Sequence, residues 1–297
     1  MGRPLICAEL GANHNGSLER ALHIIDAAAR AGAGAVKFQT WSAGTMVLDR
    51  EARAPSGPWA GRLLYELYEE AYTPWEWHPT LYAAVRSHRM IPFSSVFDLE
   101  SIAFLETLDC PMYKIASFEI EDLRLIRAAA KTGKPMVMST GIANRPMWKH
   151  AAGTALLHGC KDITLLHCIS DYPASAEKMA LGDMKAMMGE FVTSPMADTI
   201  GRVGLSDHSL SYHAAMVATA LGATMIEKHL TLKRSDGGLD AAFSIEPPEL
   251  EKMKWAINLT YDSIHGERLP STSNHYKRSL YWRDDYPVGT LVSDDML

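Results

Sequence analysis

Short apolar segments alternate with helix-like segments about eight times along this chain, and this alternation constrains the fold more than any other feature. The predicted strands cover residues 5–10, 36–40, 91–96, 112–117, 135–140, 163–168, 203–208 and 226–231. Strands that alternate with helical crossovers form a parallel sheet with the helices outside it. Eight such units in roughly 265 residues predict an α/β fold, a closed (β/α)8 TIM barrel. No GxGxxG motif follows the first strand, which disfavours an open dinucleotide-binding sheet.

Composition excludes several classes of function. Of the 297 residues, 47% are hydrophobic, which is enough for a large core. The formal net charge of −6 and the lack of a basic run argue against nucleic-acid binding. The four cysteines have no CxxC spacing, which is typical of reduced thiols in a cytosolic protein. There is no signal peptide and no apolar run of about 18 residues, so we expect a soluble cytoplasmic protein with no membrane partner.

Two segments do not fit the repeat. Residues 41–58 are too long for a tight connection after a barrel strand, so we expect them to form a lid or a wall of the substrate site. Beyond residue 266 no further strand–helix unit is recognisable. The sequence therefore predicts a barrel domain over residues 1–266 and a short C-terminal arm over residues 267–297, which is too small to fold alone.

Polar side chains stand where the predicted strands end, in place of the apolar residues expected there. The carboxyl ends of the strands form the catalytic face of a TIM barrel. No single residue of the set is diagnostic, but their common position at strand ends predicts one polar site. The set comprises Glu9, Lys37, Gln39, Ser94, Ser95, Lys114, Ser117, Ser139, Ser170, Tyr172, Ser206, Asp207, His208, Glu227 and His229.

The last two strands each carry a histidine and an acid. In the segment 226–231, alternation places Glu227 and His229 on one face of the strand and Lys228 on the other. The preceding strand ends at His208, so a single helical crossover can bring both imidazole rings to one ion. Imidazole with oxygen co-ligands suits Mn, Fe, Co or Zn better than Mg. The alternative is a pair of structural histidines bonded to backbone groups.

Lys37 and Lys114 are candidate cations for an anionic substrate in this net acidic protein. They could bind a phosphate or a carboxylate together with the strand-end serines. Glu9 and Glu227 are candidates for acid–base catalysis or for stabilising a cationic transition state. Three alternatives stay open: a Schiff-base lysine, lysines that extend to solvent, and acids that only pair with the lysines.

Three further residues complete the predictions from the sequence. Cys168 ends a strand but has no evident base beside it, which argues against a nucleophile. His14 lies in the first loop and is expected near the site. Histidines on helices, such as His78, are expected at the surface.

Six motifs carry a resemblance to a known family. They are AELGANHNG at 8–16, VKFQ at 36–39, YKIAS at 113–117, STG at 139–141, GLSDH at 204–208 and IEKH at 226–229. In combination they resemble the sialic acid synthase family, whose members condense phosphoenolpyruvate with an amino sugar. The motifs cover most of residues 5–265, and this makes the combination specific. Residues 63–75 and Phe118 resemble the pseudaminic acid synthase branch of that family.

The resemblance implies a metal-dependent condensation with a role for each matched residue. His208 and His229 would hold a divalent ion, Mn²⁺ first and Mg²⁺ or Co²⁺ as alternatives, which polarises the aldehyde of the open-chain sugar. Glu9 and Glu227 would stabilise a cationic carbon or activate water. Phosphoenolpyruvate would be held by Lys37, Lys114, Ser95, Ser117, Ser139, Ser170 and Ser206. The sugar site would be formed by Gln39, Tyr172 and Asp240, with support from Glu119.

The branch implies 2,4-diacetamido-2,4,6-trideoxy-altrose as the sugar and pseudaminic acid as the product. Ser170 agrees with it, since sialic acid synthases themselves tend to carry Asn there. Synthases of N-acetylneuraminate or legionaminate are the alternatives within the family. A barrel that binds sugar or phosphate without turnover is the alternative of another class. The family also implies a homodimer and an antifreeze-like (SAF) domain. Residues 276–281 resemble the lead-in to that domain, so residues 267–297 are expected to be a linker and the truncated start of an SAF-like domain.

Overall fold

The strands close into a barrel, as the sequence predicts. The computed structural model describes residues 2–192, 201–267, 281 and 284–296. Its parallel strands pair in sequence order, and the first closes the barrel against the eighth. They are β1 (Leu5–Glu9), β2 (Ala35–Thr40), β3 (Ile91–Val96), β4 (Tyr113–Ile115), β5 (Met136–Ser139), β6 (Ile163–Cys168), β7 (Arg202–Asp207) and β8 (Met225–His229).

Helices fill the crossovers and pack outside the barrel. In the described part of the chain they are α1 (Leu18–Ala31), α2 (Ala43–Met46), α3 (Leu64–Ala71), α4 (His78–Ser87), α5 (Leu99–Glu106), α6 (Leu123–Lys131), α7 (Arg145–Leu157), α8 (Leu181–Val192), α9 (His213–Leu221) and α10 (Pro247–His265). The long segment after β2 contains α2 and a 3-10 turn at Gly57–Trp59. None of the helices described here has both the length and the apolar character needed to span a membrane.

Local chemistry explains where these helices begin and end. Ser17 accepts a hydrogen bond from Arg20 N at 3.1 Å, which caps the start of α1. Asp98 caps α5 in the same way through Ser101 N at 2.6 Å. Gly32 ends α1 with a φ of 84°, a left-handed conformation that residues with a Cβ rarely adopt. The chain can therefore turn directly from α1 into β2.

The register of the barrel gathers the predicted polar residues on its inner face. Pairing of β1 with β2 places Glu9 beside Lys37, and pairing of β7 with β8 places Ser206 beside Glu227. Pairing of β8 with β1 places His229 beside Glu9. Since side chains alternate across a strand, residues of this parity point into the barrel, and all five are buried. Their residue types are those of a site rather than of a packed barrel core.

Asp207 lies on the opposite face, and its predicted place in the site is therefore wrong. Its carboxylate pairs with Lys228 Nζ at 2.7 Å, and both side chains have no exposed surface. Lys228 also donates hydrogen bonds to the carbonyls of Ser211, at 3.0 Å, and Ser209. This buried ion pair ties β8 to the loop that follows His208.

Ser94 also faces outward, away from the predicted site. Its Oγ lies 2.6 Å from Thr40 Oγ1, which in turn lies 2.9 Å from His78 Nε2. His78 is fully buried, so its predicted surface position is wrong. Burial lowers the pKa of His78 to about 4, and the ring is therefore neutral at pH 7. This network joins the start of α4 to β2 and β3.

The chain divides into two compact units, Met1–Ile264 and His265–Leu297. The first contains the barrel. In the second, the structure describes residues 265–267, 281 and 284–296, which include a 3-10 turn at Asp294–Met296. Of the segment 276–281, only Tyr281 lies within the described residues. The assignment of residues 267–297 to a linker and the start of an SAF-like domain stays a prediction.

Candidate active site

Two acids and two lysines form a cluster inside the barrel. Glu9 Oε2 lies 2.8 Å from Lys37 Nζ, and Glu227 Oε1 lies 3.6 Å from Lys37 Nζ and 3.5 Å from Lys114 Nζ. Each of these side chains is at most 5% exposed. Gln39 Nε2 donates to Glu9 Oε1 at 2.7 Å. The acids thus do pair with the lysines, but Glu227 Oε2 is buried without a hydrogen-bond partner, which leaves an acceptor available to a ligand.

Burial and pairing together set the protonation of the cluster. Burial acts to raise the pKa of Glu227, but Lys114 and Lys37 hold it well below its usual range. Burial acts to lower the pKa of Lys37, but Glu227 and Glu9 raise it above its usual range. Burial lowers the pKa of Lys114, and Glu227 opposes that shift only in part. The cluster therefore offers an ionised carboxylate, a firmly protonated lysine and a second lysine that loses its proton more easily.

Two hydroxyl groups extend the cluster. Ser206 Oγ donates to Glu227 Oε1 at 3.0 Å, and Ser95 Oγ accepts from Lys37 Nζ at 3.1 Å. Each serine therefore fixes the position of one charged group that faces the barrel interior. Both were predicted as site residues, and the structure brings both to the cluster.

Two of the other three predicted serines, Ser117 and Ser170, lie beside Gly141. Ser117 Oγ accepts from Gly141 N at 3.0 Å. A Cβ added to Gly141 would lie 2.3 Å from Ser170 Oγ and 2.8 Å from Ser117 Oγ, so only glycine allows this close approach. The hydroxyls of Ser139 and Ser170 are buried without hydrogen-bond partners, which is costly unless a ligand satisfies them. Gly141 is a site residue that the sequence marked only as part of the STG motif.

The two strand-end histidines lie next to each other. Their ring centroids are 5.6 Å apart. His208 Nδ1 lies 2.8 Å from the Ile169 carbonyl oxygen. Because a carbonyl oxygen can only accept a hydrogen bond, Nδ1 carries the proton. The lone pair of Nε2 is therefore available to bind a metal. His229 Nδ1 is buried without a hydrogen-bond partner and lies 3.5 Å from Asp240 Oδ2.

These donors fit a divalent ion with an incomplete set of protein ligands. An unpartnered imidazole nitrogen lies beside a second imidazole and a carboxylate. Among the residues that the structure describes, no group of three or more His, Cys, Asp or Glu side chains is arranged to hold a metal by itself. An ion bound by His208 and His229 would thus keep positions for water or substrate oxygens. Such open coordination is typical of catalytic rather than structural sites.

Gly11 allows the loop after β1 to approach these groups. Asp240 Oδ2 accepts a hydrogen bond from Ala12 N at 2.9 Å. Gly11 has a φ of 49°, and a Cβ there would lie 2.2 Å from Asp240 Oδ2 and 3.2 Å from His229 Nδ1. A larger residue would displace Asp240 from its place beside His229. The only signal for this role in the sequence is the position of Gly11 two residues after Glu9.

The expected lack of a base beside Cys168 is wrong, whereas the expectation that Cys168 is not a nucleophile stays a prediction. Cys168 does have a base nearby, since its Sγ lies 3.9 Å from His208 Nδ1. That nitrogen already donates to the Ile169 carbonyl, so it is not free to deprotonate the thiol. His14 is fully buried with Nε2 at 3.2 Å from Thr73 Oγ1, and the Asp240 carboxylate is near enough to raise the pKa of its ring against the effect of burial, so His14 lies near the site as expected.

A cavity of about 280 Å³ opens beside His229 at the mouth of the barrel. It is close in size to the smaller small-molecule sites of proteins, which begin at about 300 Å³. The residues predicted for the sugar site all line it, namely Gln39, Glu119, Tyr172 and Asp240. Trp59 reaches over from the segment after β2, where its Nε1 donates to the Leu239 carbonyl at 3.1 Å and its ring lies 5.9 Å from that of Tyr172. The segment after β2 thus forms a wall of the cavity, as predicted.

The buried carboxyl group of Glu119, which lines this cavity, makes the free energy of unfolding of the protein depend on pH. Burial raises the pKa of its carboxyl from 4.5 to about 7. The folded protein therefore keeps a proton that the unfolded chain releases between these values, so its free energy of unfolding falls as pH rises through this window. We expect Glu119→Gln to stabilise the protein relative to wild type by about 1–2 kcal/mol at pH 8 and to have little effect near pH 5. Urea denaturation at both pH values measures this difference.

The matched control is Glu121→Gln, which removes a neighbouring exposed carboxyl group. We expect it to change stability by less than about 0.5 kcal/mol at either pH. An equal effect of Glu119→Gln at pH 5 and pH 8 would contradict the assignment of a raised pKa to Glu119.

This barrel and its polar interior have counterparts among known proteins. Residues 24–268 match the NeuB family. The chain belongs to the NeuB family. It is 37% identical over 298 residues to pseudaminic acid synthase of Campylobacter jejuni, which covers 98% of this chain and 84% of that protein. Pseudaminic acid synthase of Helicobacter pylori is also 37% identical, over 302 residues that cover 98% of this chain and 86% of that protein.

A solved structure shares the fold of this NeuB family member. N-acetylneuraminic acid (sialic acid) synthetase of Leptospira borgpetersenii, crystallised in complex with citrate, matches with a TM-score of 0.80 at 28% sequence identity. The match covers 92% of this chain and 90% of that one. The predicted barrel and the resemblance to sialic acid synthases are thereby confirmed.

Proposed function

We propose that this NeuB family protein condenses phosphoenolpyruvate with 2,4-diacetamido-2,4,6-trideoxy-altrose and water to give pseudaminic acid and phosphate. The observation that carries the proposal is a barrel interior in which a buried lysine–glutamate cluster lies on the same face as a pair of histidines. The 37% identity to two pseudaminic acid synthases over nearly the whole chain supports this choice of reaction.

The two lysines are suited to phosphoenolpyruvate. Its phosphate and carboxylate groups need cations, and Lys37 and Lys114 supply buried ones whose charge is little screened by water. The unpartnered hydroxyls of Ser139 and Ser170 would donate to the same anion. The lowered pKa of Lys114 is also compatible with a Schiff base, but both lysines lie against carboxylates, as expected for groups that remain charged.

The two glutamates would act on the carbon that becomes electron-poor. The methylene carbon of phosphoenolpyruvate forms a bond to the aldehyde carbon of the sugar. The π electrons of the aldehyde move to its oxygen, which takes up a proton to become a hydroxyl group, and the enol carbon becomes an oxocarbenium centre. The carboxylates of Glu227 and Glu9 would stabilise that charge. Water then adds to the carbon and gives its proton to one of these carboxylates. The C–O bond to phosphate then breaks, phosphate leaves with the bonding electrons, and the new hydroxyl group loses its proton to give the keto acid.

His208 and His229 would hold the divalent ion of this reaction. The family resemblance implies Mn²⁺, with Mg²⁺ or Co²⁺ as alternatives, and two imidazoles with oxygen co-ligands suit Mn²⁺ better than Mg²⁺. Bound there, the ion would act as a Lewis acid on the aldehyde oxygen. The Asp240 carboxylate, 3.5 Å from His229 Nδ1, lies beside this pair and would contact the sugar.

Phosphate release from phosphoenolpyruvate tests the proposal. The purified protein with Mn²⁺ is given the altrose derivative, its manno isomer (the legionaminate precursor), N-acetylmannosamine or no sugar. We expect release with the altrose derivative and none without sugar. Excess chelator should abolish that release.

The other outcomes identify the alternatives. Faster release with the manno isomer or with N-acetylmannosamine would assign the chain to another sugar of the same reaction class. Binding of phosphoenolpyruvate without release in any arm would indicate a barrel that binds but does not turn over. The homodimer implied by the family resemblance stays a prediction, which sedimentation velocity checks.

A further inference from the structure

The cavity beside His229 has two chemically different walls. Next to the histidines lie Asp240, 3.5 Å from His229 Nδ1, and Tyr172, whose ring is 4.3 Å from that of His208. Gln39 and Glu119 are further polar residues that line the cavity. The other wall comes from the segment after β2, from α3 and from the ends of β3 and β4. We call it the apolar wall, and it is formed chiefly by Trp41, Leu64, Leu67, Tyr68, Phe97 and Phe118.

The apolar wall is built from side chains that hold one another in place. Trp41 is 5% exposed and meets Phe97 edge to face at 5.1 Å and Tyr68 at 6.0 Å. Its carbonyl accepts from Trp75 Nε1 at 3.1 Å, and its own Nε1 is directed at the Tyr68 carbonyl at 3.5 Å. The polar atoms of Trp41 are thus used within the scaffold, and Leu67 and Phe97 have only carbon in their side chains. The hydroxyl group of Tyr68 is the polar atom that this wall adds, so a ligand meets carbon surfaces chiefly at Trp41, Leu67 and Phe97.

Substrate orientation follows from the polar end of the cavity. In the proposed reaction the aldehyde end of the sugar lies at His208 and His229, and the cavity extends from His229 to the apolar wall. The opposite end of the sugar therefore meets carbon surfaces. A hydroxyl placed against Leu67 and Phe97 would lose its hydrogen bonds to water without replacement, whereas a methyl group would gain contact.

We propose that the apolar wall is a specificity site for a hydroxyl-free end of the sugar, such as the methyl group of a 6-deoxy sugar. The proposal rests on the function proposed above and assigns the discrimination to residues that do not belong to the catalytic cluster. Apolar pockets reject an added hydroxyl by about 100-fold at most. We expect a preference of about 10- to 100-fold in kcat/KM for the 6-deoxy sugar over the same sugar with a 6-hydroxyl group.

The test compares these two sugars, which differ only at C6, in the phosphate-release assay. Leu67→Asn places an amide in the apolar wall at a residue that is 7% exposed, and Phe97→Tyr adds a single hydroxyl group as a second variant that preserves the ring. Each is expected to reduce the preference at least about fivefold, chiefly by improving kcat/KM for the hydroxylated sugar. Leu48→Asn, at a 93% exposed residue that does not line the cavity, is expected to leave the preference unchanged.

The outcomes separate this proposal from the function on which it rests. Equal kcat/KM values of the wild type for both sugars would overturn the role of the apolar wall and leave the reaction standing. A preference that survives both Leu67→Asn and Phe97→Tyr would also overturn it. Release of phosphate with neither sugar would overturn the proposed function and this inference with it.

Discussion

His229→Ala is expected to weaken Mn²⁺ binding by more than about 100-fold and to remove nearly all metal-dependent activity. His229 would supply one of two imidazole ligands, and its Nδ1 has no other hydrogen-bond partner. Loss of residues that merely support a metal ligand already costs about 10- to 100-fold, so loss of a ligand should cost more. Electron paramagnetic resonance of free Mn²⁺ measures this affinity without relying on turnover.

The matched control is His150→Ala, because His150 is exposed on α7, outside the barrel interior. It should leave Mn²⁺ affinity and phosphate release at wild-type values. Circular dichroism should show that both variants keep the barrel. Wild-type Mn²⁺ affinity in His229→Ala, or full wild-type activity in a chelated sample, would contradict the metal assignment.

Lys228→Met is expected to lower the free energy of unfolding by about 3–5 kcal/mol, the cost of removing one partner from a buried ion pair. Asp207 and Lys228 have no exposed side-chain surface. Without Lys228, the Asp207 carboxylate stays buried with no countercharge, and the carbonyls of Ser209 and Ser211 lose a donor. A methionine side chain of similar length leaves little empty volume. The lost free energy of unfolding therefore reflects chiefly the removal of the lysine charge.

Urea denaturation of the single and double variants tests this account. Asp207→Asn combined with Lys228→Met removes both charges, and we expect it to recover at least half of the lost stability. Lys252→Met, at an exposed residue of α10, is the control and should change stability by less than about 0.5 kcal/mol. A loss below about 1 kcal/mol in Lys228→Met would contradict the importance of this pair.

The barrel was predictable because its signal is local and repeated. Each strand is short and apolar, each crossover is helical, and eight repeats leave few architectures open. Parity along β8 was predictable for the same reason, since side chains alternate across any strand. Glu227 and His229 therefore face the interior and Lys228 faces outward, as the sequence predicts.

Two wrong predictions, on Asp207 and His78, have different causes. Asp207 lies between Ser206 and His208, and parity alone would have placed it on the outer face with Lys228. His78 was expected at the surface because it lies on a helix, but contacts with Thr40 and the Pro74 carbonyl bury it. Such contacts join residues distant in sequence or depend on packing, and a single-chain pattern does not reveal them.

By itself, the sequence determined the order of strands and helices, the parity of side chains along each strand and the set of polar residues at the mouth of the barrel. Only the tertiary structure decided which of these groups are partners. It paired Glu9 with Lys37, left Glu227 Oε2 and His229 Nδ1 without hydrogen-bond partners, and gathered the apolar wall around the same cavity as His229. The reason is physical: alternation and helical period are properties of consecutive residues, whereas the energy of a buried charge depends on neighbours that closure of the barrel brings together.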